Sequence, residues 1–473
     1  MIFARDKTKP RAGTEDTRMD QMTDSASIRR NFGLWQRPPA NQEPASPVAS
    51  LPRFAVDATD DPGDFPGAPG ARGDDQIARA RVVLADMLAA SQPAMASSRF
   101  AGRREAFQNL ISAIEQQRAH VVLYGDRGIG KTSLIHVFAE AARDAQYLFF
   151  YGSCGVESRF DEMFRAFLAE IPLLYHASIS PTADENEHSR SFADLLGDQR
   201  LDPRQLAGLL SEVVGTRIIF VLDEYDRVAD IEFRRDIAEL IKNLSDRAAR
   251  VQLVLTGVGS NLDELIGFTP SIRRNIVGIP LGPMPDSEIM EILERAETAS
   301  GIIFSTDAKG QIVRMAAGSP YYARLLGGRA AGRALDAGRM EITEHDVTAG
   351  TEAVLAEWNA GLPRRVQATL ARPEVRAAWP VLIAASRLTG TPDEWFSAAD
   401  IAAETGRAPQ EIDRLLTGFT DEINLFERSA PVITGPAPAP AAAVVAPEPR
   451  FRFRTQGVAQ LLGLSAALAR AGK

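Results

Sequence analysis

From Arg99 onward, short apolar runs alternate with longer stretches in which apolar positions recur every three or four residues. The short runs are Val121–Tyr124, Tyr147–Tyr151, Arg217–Leu222, Val251–Thr256 and Ile276–Leu281, and each reads as a buried strand. Helical spacing covers Thr132–Arg143, Phe160–Glu170 and Ile231–Ala248. This alternation predicts an α/β fold, a parallel sheet with helices on both faces. Leu173–Pro203 is polar and irregular, the pattern of an insertion. After Pro285 the strand signals stop, and helices are predicted at Ser287–Ala299, Ala308–Ala317, Pro320–Leu335 and Glu344–Trp358. They form a small helical unit attached directly to the sheet.

A third unit begins at Arg364. Helices are expected at Trp379–Leu388, at Ser397–Thr405 with Ser397 as cap, and at Pro409–Phe419 with Ile412, Leu415, Leu416 and Phe419 inward. Leu425–Arg428 and Phe451–Arg454 would pair as strands around a Pro/Ala-rich run, residues 435–449, which is a winged-helix pattern. At the other end, residues 1–73 carry charge clusters with many prolines and glycines and read as disordered. Ile77, Val83, Leu84, Met87 and Leu88 then suggest a short amphipathic helix, an arm docking on the body.

Composition bounds the rest. A chain of 473 residues is too long for one core. Its net charge of −9 argues against bulk binding of a polyanion, but the segment from Arg364 onward balances at +2, which leaves room for a local nucleic-acid contact. The single cysteine, Cys154, permits no disulfide framework, and the five histidines show no metal-ligand spacing. Apolar Met1–Phe3 is followed at once by Arg5, Asp6, Lys7 and Lys9, unlike a signal peptide, and no apolar run is long enough to span a bilayer. The expectation is a cytoplasmic protein without a membrane partner.

The chemistry concentrates after the first strand. Gly125-Asp126-Arg127-Gly128-Ile129-Gly130-Lys131-Thr132 fits the phosphate-loop pattern, between a strand and a helix as that pattern requires. Its glycines let backbone N–H groups, through Ser133, turn toward phosphate oxygens. The following helix adds the positive end of its dipole. Lys131 would reach the β- and γ-phosphates, and the Thr132 hydroxyl would ligate Mg²⁺. A second apolar strand carries Asp223 and Glu224 to its C-terminal end, where ligands of parallel sheets sit. Asp223 would hold the metal, and Glu224 would act as general base on the attacking water. Thr256, at the end of a third strand, would sense the γ-phosphate or orient water, with Ser260 and Asn261 as rivals.

The set Phe100–Glu105, the phosphate loop, Leu222-Asp-Glu224, Thr256–Gly259, Ser271–Arg274 and Gly318–Pro320 resembles an AAA+ ATPase. Within that class it is similar to replication-initiator ATPases and STAND signalling ATPases, over about Arg99 to Trp358. The resemblance implies ATP as ligand; no guanine-reading Asn-Lys-x-Asp segment is present. It also implies that Gly102 and Arg103 pack near the adenine, and that Arg273 or Arg274 is an arginine finger reaching a neighbouring subunit's γ-phosphate. Gly318–Gly327, with Pro320, matches the lid helix over the nucleotide. Many AAA+ proteins place an arginine near Tyr321; this chain has Gly-Ser-Pro there, as STAND proteins do, with Arg324 one turn later. That departure implies a lid without a phosphate-contacting arginine, and favours a slow switch over a motor. Arg104 and Ala106 stand where the STAND pattern usually carries acidic residues.

Four segments follow: a largely disordered arm over 1–95, an ATPase core over 96–283, a helical lid over 284–362 and a winged-helix-like unit over 363–473. The leading expectation is an ATP-binding and ATP-hydrolysing switch that controls assembly or partner binding. The alternatives are a DNA-binding loader, initiator or transposition helper, and a scaffold that holds nucleotide without turnover. For DNA, Arg450, Arg452 and Arg454 are well placed, whereas Glu411 and Asp413 on the third helix are not. A protein partner at this unit remains the other reading.

Overall fold

Five apolar runs become one parallel sheet: β1 (His120–Gly125), β2 (Leu148–Ser153), β3 (Ile218–Asp223), β4 (Val251–Gly257) and β5 (Ile276–Leu281). The order across the sheet is β2-β3-β4-β1-β5. This computed structural model describes residues 73–93, 99–178, 190–197, 200–259, 261–267, 270–388, 395–429, 448–455 and 457–471. The disorder expected before residue 73, most of the Pro/Ala run and Ser260 lie outside the described residues.

β3 and β4 are buried at every position, which is why they read as unbroken apolar runs rather than alternating ones. The register sets Leu123 of β1 beside Thr256 of β4, and Ser153 of β2 beside Asp223 of β3. Because β4 lies between β1 and β3, the phosphate loop, Thr256 and Asp223 emerge side by side at one edge.

Each face has its own core. Phe150, Phe164, Phe167 and Phe220 pack under helices Phe160–Ala169, Pro203–Ser211 and Ile231–Asp246, with Phe167 stacked on Phe220 at 5.2 Å. Phe107, Leu110, Leu134 and Phe138 fill the other face under helices Arg104–Glu115 and Lys131–Asp144. Helix Pro203–Ser211 begins where the sequence reading placed only the end of an insertion. Its start signals are sound: Pro203 at the first position, and a capping box between Asp202 and Gln205. At nine residues it offers few turns of periodicity.

Helices Asp286–Ser300, Thr306–Ala316, Pro320–Asp336 and Glu344–Gly361 enclose a separate core, the lid. A two-residue parallel pair, Ile303–Phe304 with Glu341–Ile342, ties it together where no strand was expected; strands this short leave no periodicity to read. Asp346 anchors the adjoining turn. It accepts from Arg339 at 2.6 and 2.9 Å and from the Thr343 N–H and hydroxyl at 2.9 and 2.7 Å. The arm helix, Gly73–Met87, lays Ala80 and Leu84 in this same core, so it docks on the lid.

In the third unit, helices Trp379–Leu388, Ala398–Thr405 and Pro409–Asp421 surround Phe396, Phe426, Phe451 and Phe453. Ser397 caps its helix through a capping box with Asp400. Ile412, Leu416 and Phe419 point inward, and Leu415 is half-buried. The expected strand pair forms as Phe426–Arg428 with Arg450–Phe453, and Phe396–Ser397 adds a third strand along the other side of Arg450–Phe453. The final helix, Val458–Ala471, sends Leu462 into this core and Leu464 into the lid core. Among the described residues, no helix is long and apolar enough to cross a membrane.

Candidate nucleotide site

The phosphate loop turns on three glycines with φ of +152° (Gly125), +77° (Gly128) and +100° (Gly130). They serve different ends. A Cβ on Gly125 would sit 2.2 Å from the Leu281 carbonyl oxygen, so the first glycine admits the backbone of β5. Gly128 and Gly130 face the lid, with Pro320 Cγ 3.6 Å from where a Cβ on Gly130 would be. Lys131 opens helix Lys131–Asp144, and its Nζ donates to the carbonyls of Gly125 and Asp126, each at 2.8 Å. Burial lowers the Lys131 pKa, and the carboxylates of Asp226, Asp223 and Asp126 oppose that shift. The N-terminus of this helix has no side-chain cap, which leaves backbone donors available to an anion.

Asp223 is 2 % exposed and collects four donors. Its Oδ2 accepts from the Thr132 hydroxyl at 2.9 Å and the Tyr151 phenol at 2.8 Å. Its Oδ1 accepts from the Glu224 N–H at 2.9 Å and from the buried Thr256 hydroxyl. Burial, then the bond to Asp223, raises the Tyr151 pKa, so the phenol stays a donor. Thr132 and Asp223 thus meet as an oxygen donor pair of the type Mg²⁺ takes, beside the lysine.

Glu224 has φ +54° and turns the chain out of β3 into a short turn, Tyr225–Arg227. That turn folds Arg227 back, so its guanidinium donates to Glu224 at 2.6 Å; Ser153 Oγ lies 3.3 Å from the same carboxylate. Asp226 accepts from the Val258 N–H at 2.9 Å and pins the β4 exit. Tyr151, Asp226 and Arg227 were not identified from sequence. Asp226 and Arg227 follow Glu224 in the same string, but a left-handed glutamate has no signature, and Tyr151 needs the sheet order.

Above the loop the cleft is walled by Pro320, Tyr321 and Arg324 from the lid, and by Phe100, Ala101 and Arg103 from the segment before helix Arg104–Glu115. Arg127, Ile129 and Ser133 also line it. Gly102 lies behind this wall, its N–H donating to Glu291 of the lid at 3.2 Å. Arg103 donates to the Ile129 carbonyl at 3.0 Å. The lid brings Arg324 to the cleft: three positions after Tyr321, it falls on the same helix face. It is buried and donates to the Arg99 carbonyl at 3.1 Å. The Nε atoms of Arg103 and Arg324 are both buried without partners among the described residues. Burial lowers both guanidinium pKa values. Orphaned donors around a lysine-bearing loop fit a polyanionic ligand.

The finger candidates stand elsewhere. Arg273 is exposed and pairs with Asp263 at 3.1 Å, Arg274 is exposed, and neither lines the cleft. Asn261 accepts from Glu264 N–H at 3.0 Å as a helix cap.

Residues 99–255 match the family described as AAA ATPase domain. The chain carries an AAA ATPase domain. The matched stretch contains the phosphate loop, Asp223 and Glu224, and stops before Thr256 and the lid. No curated protein matches this chain. Among solved structures, the chain is similar to the Orc1 protein of Aeropyrum pernix in complex with DNA, at 15% identity over 78% of this chain and 94% of that one, TM-score 0.39. It is similar to the RuvB Holliday junction branch migration motor of Thermotoga maritima, at 17% identity, 70% and 91% coverage and TM-score 0.37. It is also similar to a Walker-type ATPase of Pyrococcus abyssi, at 14% identity, 79% and 98% coverage and TM-score 0.43.

Proposed function

We propose that the protein is an ATP-binding and ATP-hydrolysing switch of the AAA+/STAND kind, whose nucleotide state sets the lid and through it assembly or partner binding. The observation that carries this reading is the convergence of Lys131, Thr132, Asp223 and Glu224 in one cleft beneath a lid that contributes Arg324. Lys131 and the loop N–H groups would bind the phosphates, with Gly102 and Arg103 toward the base. Thr132 and Asp223 would hold Mg²⁺, which supplies charge neutralisation on the phosphates. Glu224 would leave Arg227 and take the proton of a water attacking the γ-phosphorus, as the bond to the ADP oxygen breaks. Thr256 fixes Asp223 from behind, so in this reading it acts on the metal ligand. Arg273 or Arg274, neither of which lines its own cleft, would serve a neighbouring copy. The functional units are taken as 1–95, 96–283, 284–362 and 363–473.

Phosphate release by the purified chain tests the proposal. Glu224→Gln should still bind ATP while turnover falls by roughly 100-fold or more. Lys131→Ala should lose binding itself. Equal phosphate release by wild type and Glu224→Gln would remove Glu224 from the chemistry, and binding without turnover in wild type would leave the scaffold reading.

DNA loading through the third unit is a second reading, favoured by helices Trp379–Leu388, Ala398–Thr405 and Pro409–Asp421 beside a three-stranded antiparallel sheet. Its arginines are partly engaged. Arg452 pairs with Glu427 and lies over the Trp395 ring at 4.7 Å, and Arg450 donates to the Trp395 carbonyl at 3.0 Å. Arg454 is exposed. Duplex binding by the full chain should then weaken steeply with salt and depend on Arg454. No binding at about 50 mM salt ends this reading.

A further inference from the structure

The arm before the AAA domain reaches the nucleotide cleft. After helix Gly73–Met87 the chain continues so that Ala90, Ser91, Gln92 and Pro93 line the same cleft as Lys131 and Arg324. Nothing in the phosphate-loop chemistry requires this wall, and it is mounted on the lid. Three attachments hold it there. Ala80, Leu84 and Leu88 are buried in the lid core. Leu88 lies over Gly327 and Gly328, where Cβ atoms would come within 3.5 and 3.4 Å of it. A Cβ at either glycine would meet Leu88 in ordinary van der Waals contact, so this pair, costly inside helix Pro320–Asp336, leaves a shallow notch that a side chain of leucine size would fill. Ion pairs close the edges: Arg81 with Asp336 at 2.8 Å, and Arg99 with Asp86 at 2.7 Å. The carbonyl of that same Arg99 receives Arg324, so the arm's anchor and the lid's arginine share a residue.

We infer that residues 84–93 are a strap belonging to the nucleotide site, seated by Leu88 in the Gly327–Gly328 notch, which retains a bound nucleoside diphosphate until the arm lifts from the lid. This rests on the proposed nucleotide reading. Bound nucleotide under the strap leaves only after the wall at Ala90–Pro93 moves, and that wall moves with Leu88. Exchange is then governed by a segment outside the catalytic residues, and whatever grips the arm controls it.

The test is release of fluorescent ADP from the full chain, chased with excess ATP. Leu88→Glu and Gly328→Leu attack the seat from opposite sides. Val82→Glu, on the outward face of the arm helix where Val82 is 72% exposed, is the control. The expected result is release about tenfold faster in both seat variants, with wild-type speed in the control. Cooperative thermal unfolding marks each variant as folded, and if Leu88→Glu loses it, Gly328→Leu carries the test. Trypsin cleavage at Arg79 or Arg81 reports that the arm has lifted. Wild-type release rates from a lifted arm overturn the strap alone, as does equal acceleration in Val82→Glu. A wild-type chain that takes up no labelled ADP overturns the nucleotide reading and the strap with it.

Discussion

Asp223 shows how much of the site is held by donors rather than by solvent. A buried carboxylate is tolerated only while its oxygens are satisfied, and here the donors come from β2, β4, the phosphate-loop helix and the Glu224 N–H just past β3. Thr256→Val removes one of them without opening space. The expected loss is about 1–3 kcal/mol in urea unfolding without nucleotide, and Tyr151→Phe should cost about half as much. Glu224 is different, being half-exposed and paired with Arg227. Exposed pairs of this kind hold roughly 0–1 kcal/mol, so Arg227→Ala should raise the rate of phosphate release by a few-fold at most. A fall would mean that Arg227 itself contacts the reacting phosphate. At this scale Lys131, Thr132, Asp223 and Glu224 are legible in the sequence, because each stands at a fixed offset from a strand or a glycine. Arg227 is not, because its position depends on one positive φ.

Elements were legible where burial imposed a period. The five strands fall within a residue or two of their apolar runs, and so do the lid helices, except that helix Glu344–Gly361 runs three residues past the expected Trp358. The failures have one physical origin, short pieces held by tertiary contact. Helix Pro203–Ser211 and the pair Ile303–Phe304 with Glu341–Ile342 are examples. In the lid, Arg339 holds the Asp346 carboxyl well below the usual range, an effect that outweighs burial. Asp346→Asn keeps the shape but loses the charge-assisted bonds to Arg339. It should lower lid stability by about 2–3 kcal/mol, seen as earlier hydrogen exchange in helix Glu344–Gly361 while β1 to β5 stay protected. Uniform loss of protection in both would show that lid and sheet open together.

Across the whole molecule, one buried histidine sets an acid limit. His120 begins β1, and its Nδ1 accepts from the Leu253 N–H of β4 at 2.9 Å. Burial lowers its pKa to about 4 from the ordinary 6.5. The unfolded chain therefore binds this proton first as pH falls. The neutral imidazole's contribution is complete above about pH 6.5 and drains away as pH falls toward 4, up to about 3 kcal/mol. Urea midpoints at about pH 7, about pH 5.5 and about pH 4.5 should fall in that order. His120→Gln should flatten the slope; an unchanged slope would assign it to other groups.

The last helix, Val458–Ala471, divides its apolar side chains between the lid and the third unit. A fragment cut at Arg364 would therefore carry Leu464, Ala467 and Leu468 bare to water, and a lid shortened before Val458 would lack one wall. Neither piece is a fair stand-in for its part of the protein: sticky behaviour or loss of binding in such a fragment would report the missing neighbour. In an intact chain the same sharing couples the two cores, since this helix, together with Leu355 and Trp358 of helix Glu344–Gly361, packs against both.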